Sequence, residues 1–172
     1  MGRSVVAGET TLITFKVLIK RTQSIGMKQS EFNRAVRIAL TEAGLYWQQN
    51  FLHRHFEASA FGRYNYAPRG YRYQNRKRYV THREPLPLVF LGELRDYVLS
   101  NRDKGAIRVQ STATATRQQV RVPVRLPHPI NPKNRGELTR PSSAENKEIG
   151  RYANRVLREL LQRRITETVV VG

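Results

Sequence analysis

The part of the chain richest in side chains that could bind a ligand runs from Phe61 to Arg83. It contains seven arginines and lysines, five tyrosines and no acidic residue. A guanidinium group offers a planar fork for phosphate or carboxylate, and a tyrosine ring offers a surface for stacking. The same residue types are common anchors at protein interfaces. We therefore expect a protein interface or a site for single-stranded nucleic acid here, against the plainer alternative of a solvated loop. The candidate residues are Arg63, Tyr64, Tyr66, Arg69, Tyr71, Arg72, Tyr73, Arg76, Lys77, Arg78 and Tyr79.

The histidines and carboxylates form no pattern that predicts catalysis. His53 and His55 lie two residues apart near a predicted helix end, so they point to different faces and cannot easily share a metal. Solvated or stacking histidines are the plainer interpretation. Glu93 and Asp96 could be neighbours on one turn, as acid–base catalysis requires, but the intervening Arg95 favours a solvated turn. We therefore expect no catalytic residues, no bound metal and no cofactor, and classify the chain as a non-enzyme.

The net charge restricts the classes of partner. The 172 residues include 31 Lys+Arg and 13 Asp+Glu, which give a formal charge of +18. Such a charge favours nucleic acid, an acidic protein surface or an anionic membrane as the partner. Membrane is the least favoured, because no apolar run approaches the roughly 20 residues of a spanning helix and Met1 to Thr14 does not resemble a signal peptide. The chain has no cysteine, which fits synthesis in a reducing cytoplasm.

Two long patterns predict the first elements of the fold. Alternating apolar residues predict a strand over Thr10 to Lys20. Apolar residues at spacings of three and four then predict a helix that begins near Lys28 and fades after Phe56. Gly44 lies inside this helix at a cost of about 1 kcal/mol relative to alanine. The stripe consists of Phe32, Ala35, Val36, Ala39, Leu40, Ala43, Trp47, Asn50 and Phe51.

The middle of the chain predicts irregular structure and short strands. Residues 61–86 show no periodicity and contain Gly62, Pro68 and Gly70, so we expect a long basic arm that is mostly disordered in the free protein. Strands are expected at Tyr97 to Ser100, Ala106 to Ser111 and Gln118 to Arg125, with a hairpin turn at residues 101–105. Pro123 predicts that the last of these strands is an edge strand or ends early. Residues 126–141 are rich in proline and predict a second loop.

The last element has the clearest pattern. Ser142 and Glu145 match a capping box, in which each side chain satisfies a backbone N–H at the start of a helix. An apolar stripe follows, which consists of Ile149, Tyr152, Ala153, Val156, Leu157, Leu160, Leu161 and Ile165. The sequence therefore predicts one α+β domain over residues 1–172, with a small antiparallel sheet, one long helix and a C-terminal amphipathic helix.

Two segments carry a resemblance to a known family. The first is Tyr66-Ala67-Pro68-Arg69, followed by Tyr73 and Lys77. The second is Pro87-Leu88-Val89-Phe90-Leu91-Gly92-Glu93-Leu94-Arg95. Together they resemble the tail-completion, or neck, proteins of tailed phages with the HK97 gp10-like fold, which include minor tail proteins of the lambda Z type. The resemblance spans about residues 10 to 165. It implies a long helix and a C-terminal helix packed on a small antiparallel sheet.

The resemblance also implies a role and partners. The protein would be a ring-forming or ring-capping structural subunit between the tail tube and the head, located in the virion and made in the host cytoplasm. Its partners would be further copies of itself, the tail tube or tail terminator, and neck or portal-adaptor proteins, with no membrane contact. Gly92 would permit a tight backbone after Leu88, Val89 and Phe90 dock into the core, and Leu94 would then start the sheet. The alternative is a basic nucleic-acid-binding protein, either ribosome-associated or a DNA-packaging factor. Both hypotheses are compatible with contact between the protein and DNA.

Overall fold

The computed structural model describes residues 10–17, 19, 27–81, 86, 88, 93–100, 109–114, 117–126 and 132–170. The described strands are β1 (Thr10–Lys16), β2 (Gln110–Ala113) and β3 (Gln118–Arg125). The described helices are α1 (Gln29–Asn50), a 3-10 helix (Leu52–Phe56), α2 (Ala60–Arg63), α3 (Tyr71–Thr81), α4 (Glu93–Ser100), α5 (Pro132–Leu138) and α6 (Ser143–Val170).

The arrangement confirms the predicted α+β class. The strands form one sheet in the order β1–β3–β2. β2 and β3 are antiparallel, with Gln110 opposite Arg121 and Ala113 opposite Gln118. The contacts divide the chain into two compact units. The first unit comprises Met1–Ile13, Gln48–Arg108 and Pro123–Ser142, and the second comprises Thr14–Trp47, Val109–Val122 and Ser143–Gly172.

In the second unit, α1 buries the apolar stripe that its spacing predicts. Phe15 of β1 lies against Trp47, with ring centroids 5.3 Å apart, and both side chains are fully buried. Asn50, which the pattern also included, is exposed at the helix end. A Cβ atom at Gly44 would lie 2.6 Å from Val109 Cγ1 and 2.8 Å from Val120 Cγ2. Gly44 therefore permits a close approach of the helix to these valines, which explains a glycine inside a helix.

The C-terminal helix of the second unit is amphipathic, as predicted. Ile149, Ala153 and Leu157 are buried on one face of α6 at helical spacing. On the same helix, Tyr152 stacks on Tyr46 with ring centroids 4.2 Å apart. The helix begins one residue after Ser142, the position that the capping box assigns to the cap.

The first unit has a mixed core of apolar and aromatic side chains. The 3-10 helix that follows α1 buries Leu52 and Phe56, and α4 packs near it. Val98 is buried on α4, and Leu138 is buried on α5. This unit contains the whole Tyr/Arg segment that the structure describes, so it carries the candidate site.

Three expectations for the middle of the chain are wrong. Residues 71–81, predicted as part of an irregular arm, form α3, and residues 60–63 form the single turn α2. The breakers Pro68 and Gly70 precede α3, which itself contains only residues compatible with a helix. Residues 97–100, predicted as a strand, end helix α4, whose first turn carries Glu93 and Asp96 where the helix dipole favours carboxylates.

The proline-based expectations also need correction. Part of the predicted loop 126–141 is helix α5, which begins with Pro132 at a position where a proline costs no hydrogen bond. β3 is the central strand and not an edge strand. Its described pairs with β2 end at Arg121, so Pro123 interrupts none of them. The predicted hairpin turn at residues 101–105 lies outside the described residues.

Candidate interaction surface

The Tyr/Arg segment contains a buried part and an exposed part. Tyr64 and Tyr66 are 3% and 4% exposed, so their side chains belong to the core. The arginine side chain of Arg69 is also largely buried. These three residues were predicted to lie on a binding arm, and the structure instead assigns them to the packing of the first unit.

Tyr64 and Tyr66 are buried around a histidine. The His55 ring stacks on the Tyr64 ring with centroids 4.0 Å apart, and His55 Nδ1 forms a hydrogen bond with the Tyr66 hydroxyl. His55 is fully buried. Burial, and to a smaller extent the positive charge of Arg63, together lower the pKa of His55 from 6.5 to about 3. His55 is thus a neutral, stacking core residue at physiological pH.

Arg69 is held by a carboxylate that sequence reasoning did not identify. Arg69 Nη1 donates to Glu137 Oε1 at 3.1 Å, and Arg69 Nη2 donates to Glu137 Oε2 at 2.6 Å. The backbone N–H of Ala67 also donates to Glu137 Oε1 at 3.3 Å. The two charged side chains are 12% and 9% exposed. The bidentate ion pair therefore fixes residues 67–69 against α5 and neutralises the charge of Arg69 within the fold.

Helix α3 carries the exposed part of the segment. Tyr71 is 78% exposed. Arg72 and Arg76 are exposed on the same helix four residues apart, a spacing that places them on one face. Arg63 is exposed at the end of α2. Burial raises the pKa of the half-buried Tyr73, which Arg69 partly offsets. Lys77, Arg78 and Tyr79 lie on α3, outside the residues whose side chains are described.

A groove of about 500 Å³ lies between α2 and the beginning of α3. It is formed by Phe61, Asn65, Tyr66, Pro68, Arg69 and Gln74. The backbone of Asn65 has a φ of 52°, in the left-handed region that asparagine tolerates better than most residues. Gln74 Nε2 donates to the carbonyl oxygen of Arg69 at 2.6 Å, which holds its amide at the groove.

The segment that resembles the phage family is only partly described. Leu88 is buried and has a φ of 55°, a strained value for a leucine. Leu94 and Arg95 lie in helix α4, and Arg95 Nε donates to Asp96 at 2.8 Å. The expectation that Leu94 starts the sheet is therefore wrong. Pro87, Val89 and Gly92 lie outside the described residues, so the predicted tight turn at Gly92 stays a prediction.

Two properties of the described part of the chain bear on its chemistry. Within it, no cluster of three or more histidine, aspartate or glutamate side chains could hold a metal ion. None of its helices combines the length and apolar character needed to cross a membrane. The sequence did not predict the buried ion pair of Glu137. For His55 it indicated only a solvated or stacking role. Glu137 lies in a stretch whose prolines indicated a loop.

Fold and surface together define a class: a basic α+β protein with exposed arginines and a tyrosine beside a small groove. Comparison with protein-family models, curated proteins and solved structures finds no significant match. The resemblance to phage tail-completion proteins therefore rests on the residues that carry it.

Proposed function

We propose that the protein is a structural subunit of a tailed-phage particle, a tail-completion or head–tail joining protein that forms a ring between tail tube and head. The order of elements carries the proposal. A strand and a long helix are followed by the Tyr/Arg segment, the PLV–GELR segment, antiparallel strands and a C-terminal helix. This order agrees with what the resemblance implies for the family. The proposed role requires no catalytic group and no cofactor.

The exposed arginines of α3 are the proposed contact with the rest of the particle. Arg72 and Arg76 share one helix face, and the whole chain carries a formal charge of +18. Identical copies with this charge repel one another, so a ring needs acidic partner surfaces to neutralise it. Tail tube, tail terminator and neck or portal-adaptor proteins are the proposed partners. Contacts in a closed ring are heterologous, so this face would meet a different surface of its neighbour.

The first experiment measures the copy number of the polypeptide in purified, nuclease-treated particles by quantitative mass spectrometry. We expect a small, fixed number of copies per particle, as a symmetric ring requires. If the polypeptide is missing from particles that are otherwise complete, the structural role is wrong. Binding to nucleic acid in the infected cell would then become the leading function.

A complementation experiment tests the proposed contact. The double variant Arg72→Glu/Arg76→Glu should fail to rescue particle formation in a phage that lacks the gene. The matched control is Arg151→Glu/Arg158→Glu, which makes the same change of charge on exposed positions of α6. Arg69 is unsuitable for this purpose, because its replacement would break the buried pair with Glu137. Equal loss of rescue in both double variants would show that total charge matters and the α3 face does not.

The second candidate function is binding of nucleic acid, as a ribosome-associated or DNA-packaging factor. The observation that favours it is Tyr71, an aromatic ring 78% exposed beside the exposed Arg72. Binding of this kind should weaken steeply as salt rises, because each neutralised phosphate releases counterions.

A further inference from the structure

The groove between α2 and α3 combines apolar walls with amide groups. Phe61 and Pro68 supply apolar surface, and Asn65 and Gln74 supply amides. One N–H of Gln74 is used by the carbonyl oxygen of Arg69, which positions the amide. The volume of the groove, about 500 Å³, lies within the range of small-ligand sites. A planar ring with a polar edge matches such a lining, because its faces contact the apolar walls and its edge meets the amides.

The charge inside the groove favours a neutral group over an acidic one. Arg69 is one of the residues that line the groove, and its guanidinium already forms two hydrogen bonds to the Glu137 carboxylate. An incoming carboxylate would therefore find the charge of Arg69 already balanced by Glu137. A neutral heterocyclic base does not require a free cation.

The residues that flank the groove in the chain are aromatic and positively charged. Tyr71 lies three residues before Gln74 on α3, a spacing that places both on one side of the helix. Its ring is 78% exposed, an unusual exposure for a large aromatic side chain. Arg72 follows it directly, and Arg63 at the end of α2 is also exposed. An exposed aromatic residue and exposed arginines within one short stretch of chain are the residue types that bind stacked bases and their phosphates.

We propose that this groove and its rim bind single-stranded nucleic acid. One base enters the groove beside Asn65 and Gln74, a neighbouring base stacks on Tyr71, and Arg63 and Arg72 contact the phosphates. A duplex binds less well, because its bases are stacked and paired with one another and cannot enter the groove without being extruded. The site goes beyond the proposed role in the particle and does not depend on it.

The test is a titration of fluorescently labelled oligothymidylate with the full-length protein, followed by fluorescence anisotropy at fixed salt. Two further probes are an abasic oligomer, which keeps the phosphates and lacks the bases, and a duplex of equal length, which carries more phosphates but keeps its bases paired. We expect the single strand to bind about tenfold more tightly than the abasic oligomer, because base stacking and groove contacts are lost in the latter. Equal affinity for both would overturn the proposal, since phosphate attraction alone would then explain binding.

Three surface variants separate the base contacts from general charge. Tyr71→Ala should weaken binding of oligothymidylate about tenfold, and Tyr71→Phe should restore it because the ring is retained. Asn65→Gly removes the amide and keeps the positive φ that glycine adopts without strain, so the fold is preserved and binding weakens. None of these changes alters the net charge. Unchanged affinity in Tyr71→Ala would show that the base does not stack there.

Charge variants and a competitor complete the experiment. Arg63→Gln/Arg72→Gln should weaken binding and flatten its salt dependence more than the control Arg151→Gln/Arg158→Gln on α6. Equal weakening in the two would mean diffuse attraction without a site. If a polyglutamate peptide displaces the oligomer as efficiently as unlabelled oligothymidylate does, the surface is a contact for an acidic protein and the proposal is wrong. The particle copy number is measured separately, so failure of either proposal leaves the other unaffected.

Discussion

His55 should make the protein less stable as the pH falls from neutral to 5. In the folded protein, burial and the charge of Arg63 hold its pKa near 3, whereas in the unfolded chain the imidazole has its ordinary pKa of 6.5. Between these values the unfolded state binds more protons than the folded state, so the free energy of unfolding rises with pH. The stabilising contribution is fully present above pH 6.5 and is lost as the pH falls toward 3. Between pH 7.5 and 5.0 the two pKa values give a loss of about 2 kcal/mol.

The assay is urea unfolding at pH 7.5 and pH 5.0, for the wild type and for His55→Gln. Carboxylates also titrate toward acid pH, but they contribute equally to both proteins. The wild type should therefore lose about 2 kcal/mol more than His55→Gln over this interval. His53→Gln is the matched control, because His53 is 42% exposed beside Glu57 and its replacement leaves His55 in place. It should show the same loss as the wild type.

Equal losses in the wild type and His55→Gln would refute the reasoning, because the buried ring would then not resist protonation. Should His55→Gln fail to fold, the proton on the wild-type ring can be followed directly by nuclear magnetic resonance. The chemical shifts of the His55 ring should stay constant from pH 7.5 to 5.0. A titration of this ring near pH 6.5 would contradict the uncharged state that its burial favours.

Three further predictions concern packing and buried polar groups. Gly44→Ala should lower the free energy of unfolding by about 1 kcal/mol, since overpacking against the valines outweighs the gain in helix propensity. Gly150→Ala on α6, where an added Cβ meets no atom within 4 Å, should raise it by about 1 kcal/mol, and the same sign in both urea titrations would contradict this. Arg69→Met should cost about 3 kcal/mol by leaving Glu137 buried and unpaired, and thermal unfolding should show partial recovery when Glu137→Met is added. Gln48→Met should stabilise the protein by about 1 kcal/mol, because the amide nitrogen of Gln48 is buried without a hydrogen-bond partner among the described residues, and a lower melting temperature would count against this.

The elements with a one-sided apolar pattern could be predicted from sequence. β1, α1 and α6 each bury one face, and the period of that face is visible in the order of residues. The class of fold followed from these elements. The sequence indicated only that Gly44 lowers helix stability. Its packing role could not be predicted, because Val109 and Val120 lie more than 60 positions away in the chain.

The missed helices lack such a stripe. Residues 71–81 consist almost entirely of polar and aromatic side chains, so no apolar period marked α3. The sequence does contain a weaker signal, a run of fourteen residues free of glycine and proline directly after Gly70. α5 was missed because Pro132 was counted as a breaker, although a proline is favoured in the first turn.

The candidate site shows why composition alone misassigns individual residues. Tyr66 and Tyr71 belong to the same basic segment, but one is 4% exposed and the other 78%. The difference arises from tertiary packing, because Tyr66 forms a hydrogen bond with the buried His55 whereas Tyr71 faces solvent. Likewise Arg69 and Arg72 belong to the same basic segment, but Arg69 is buried against the carboxylate of Glu137, 68 residues away, and Arg72 is exposed.

Because Arg69 is buried and Arg72 is exposed, the arginines of the basic segment should not be replaced together in an experiment. A block replacement of its arginines would remove Arg69 together with Arg72 and Arg76, and the loss of the Glu137 pair alone is expected to destabilise the first unit by about 3 kcal/mol. Lost activity would then report unfolding as readily as lost binding. The exposed positions must therefore be changed without Arg69. Tyr71 is the most informative of them, because its ring can be removed without altering either the charge or the core.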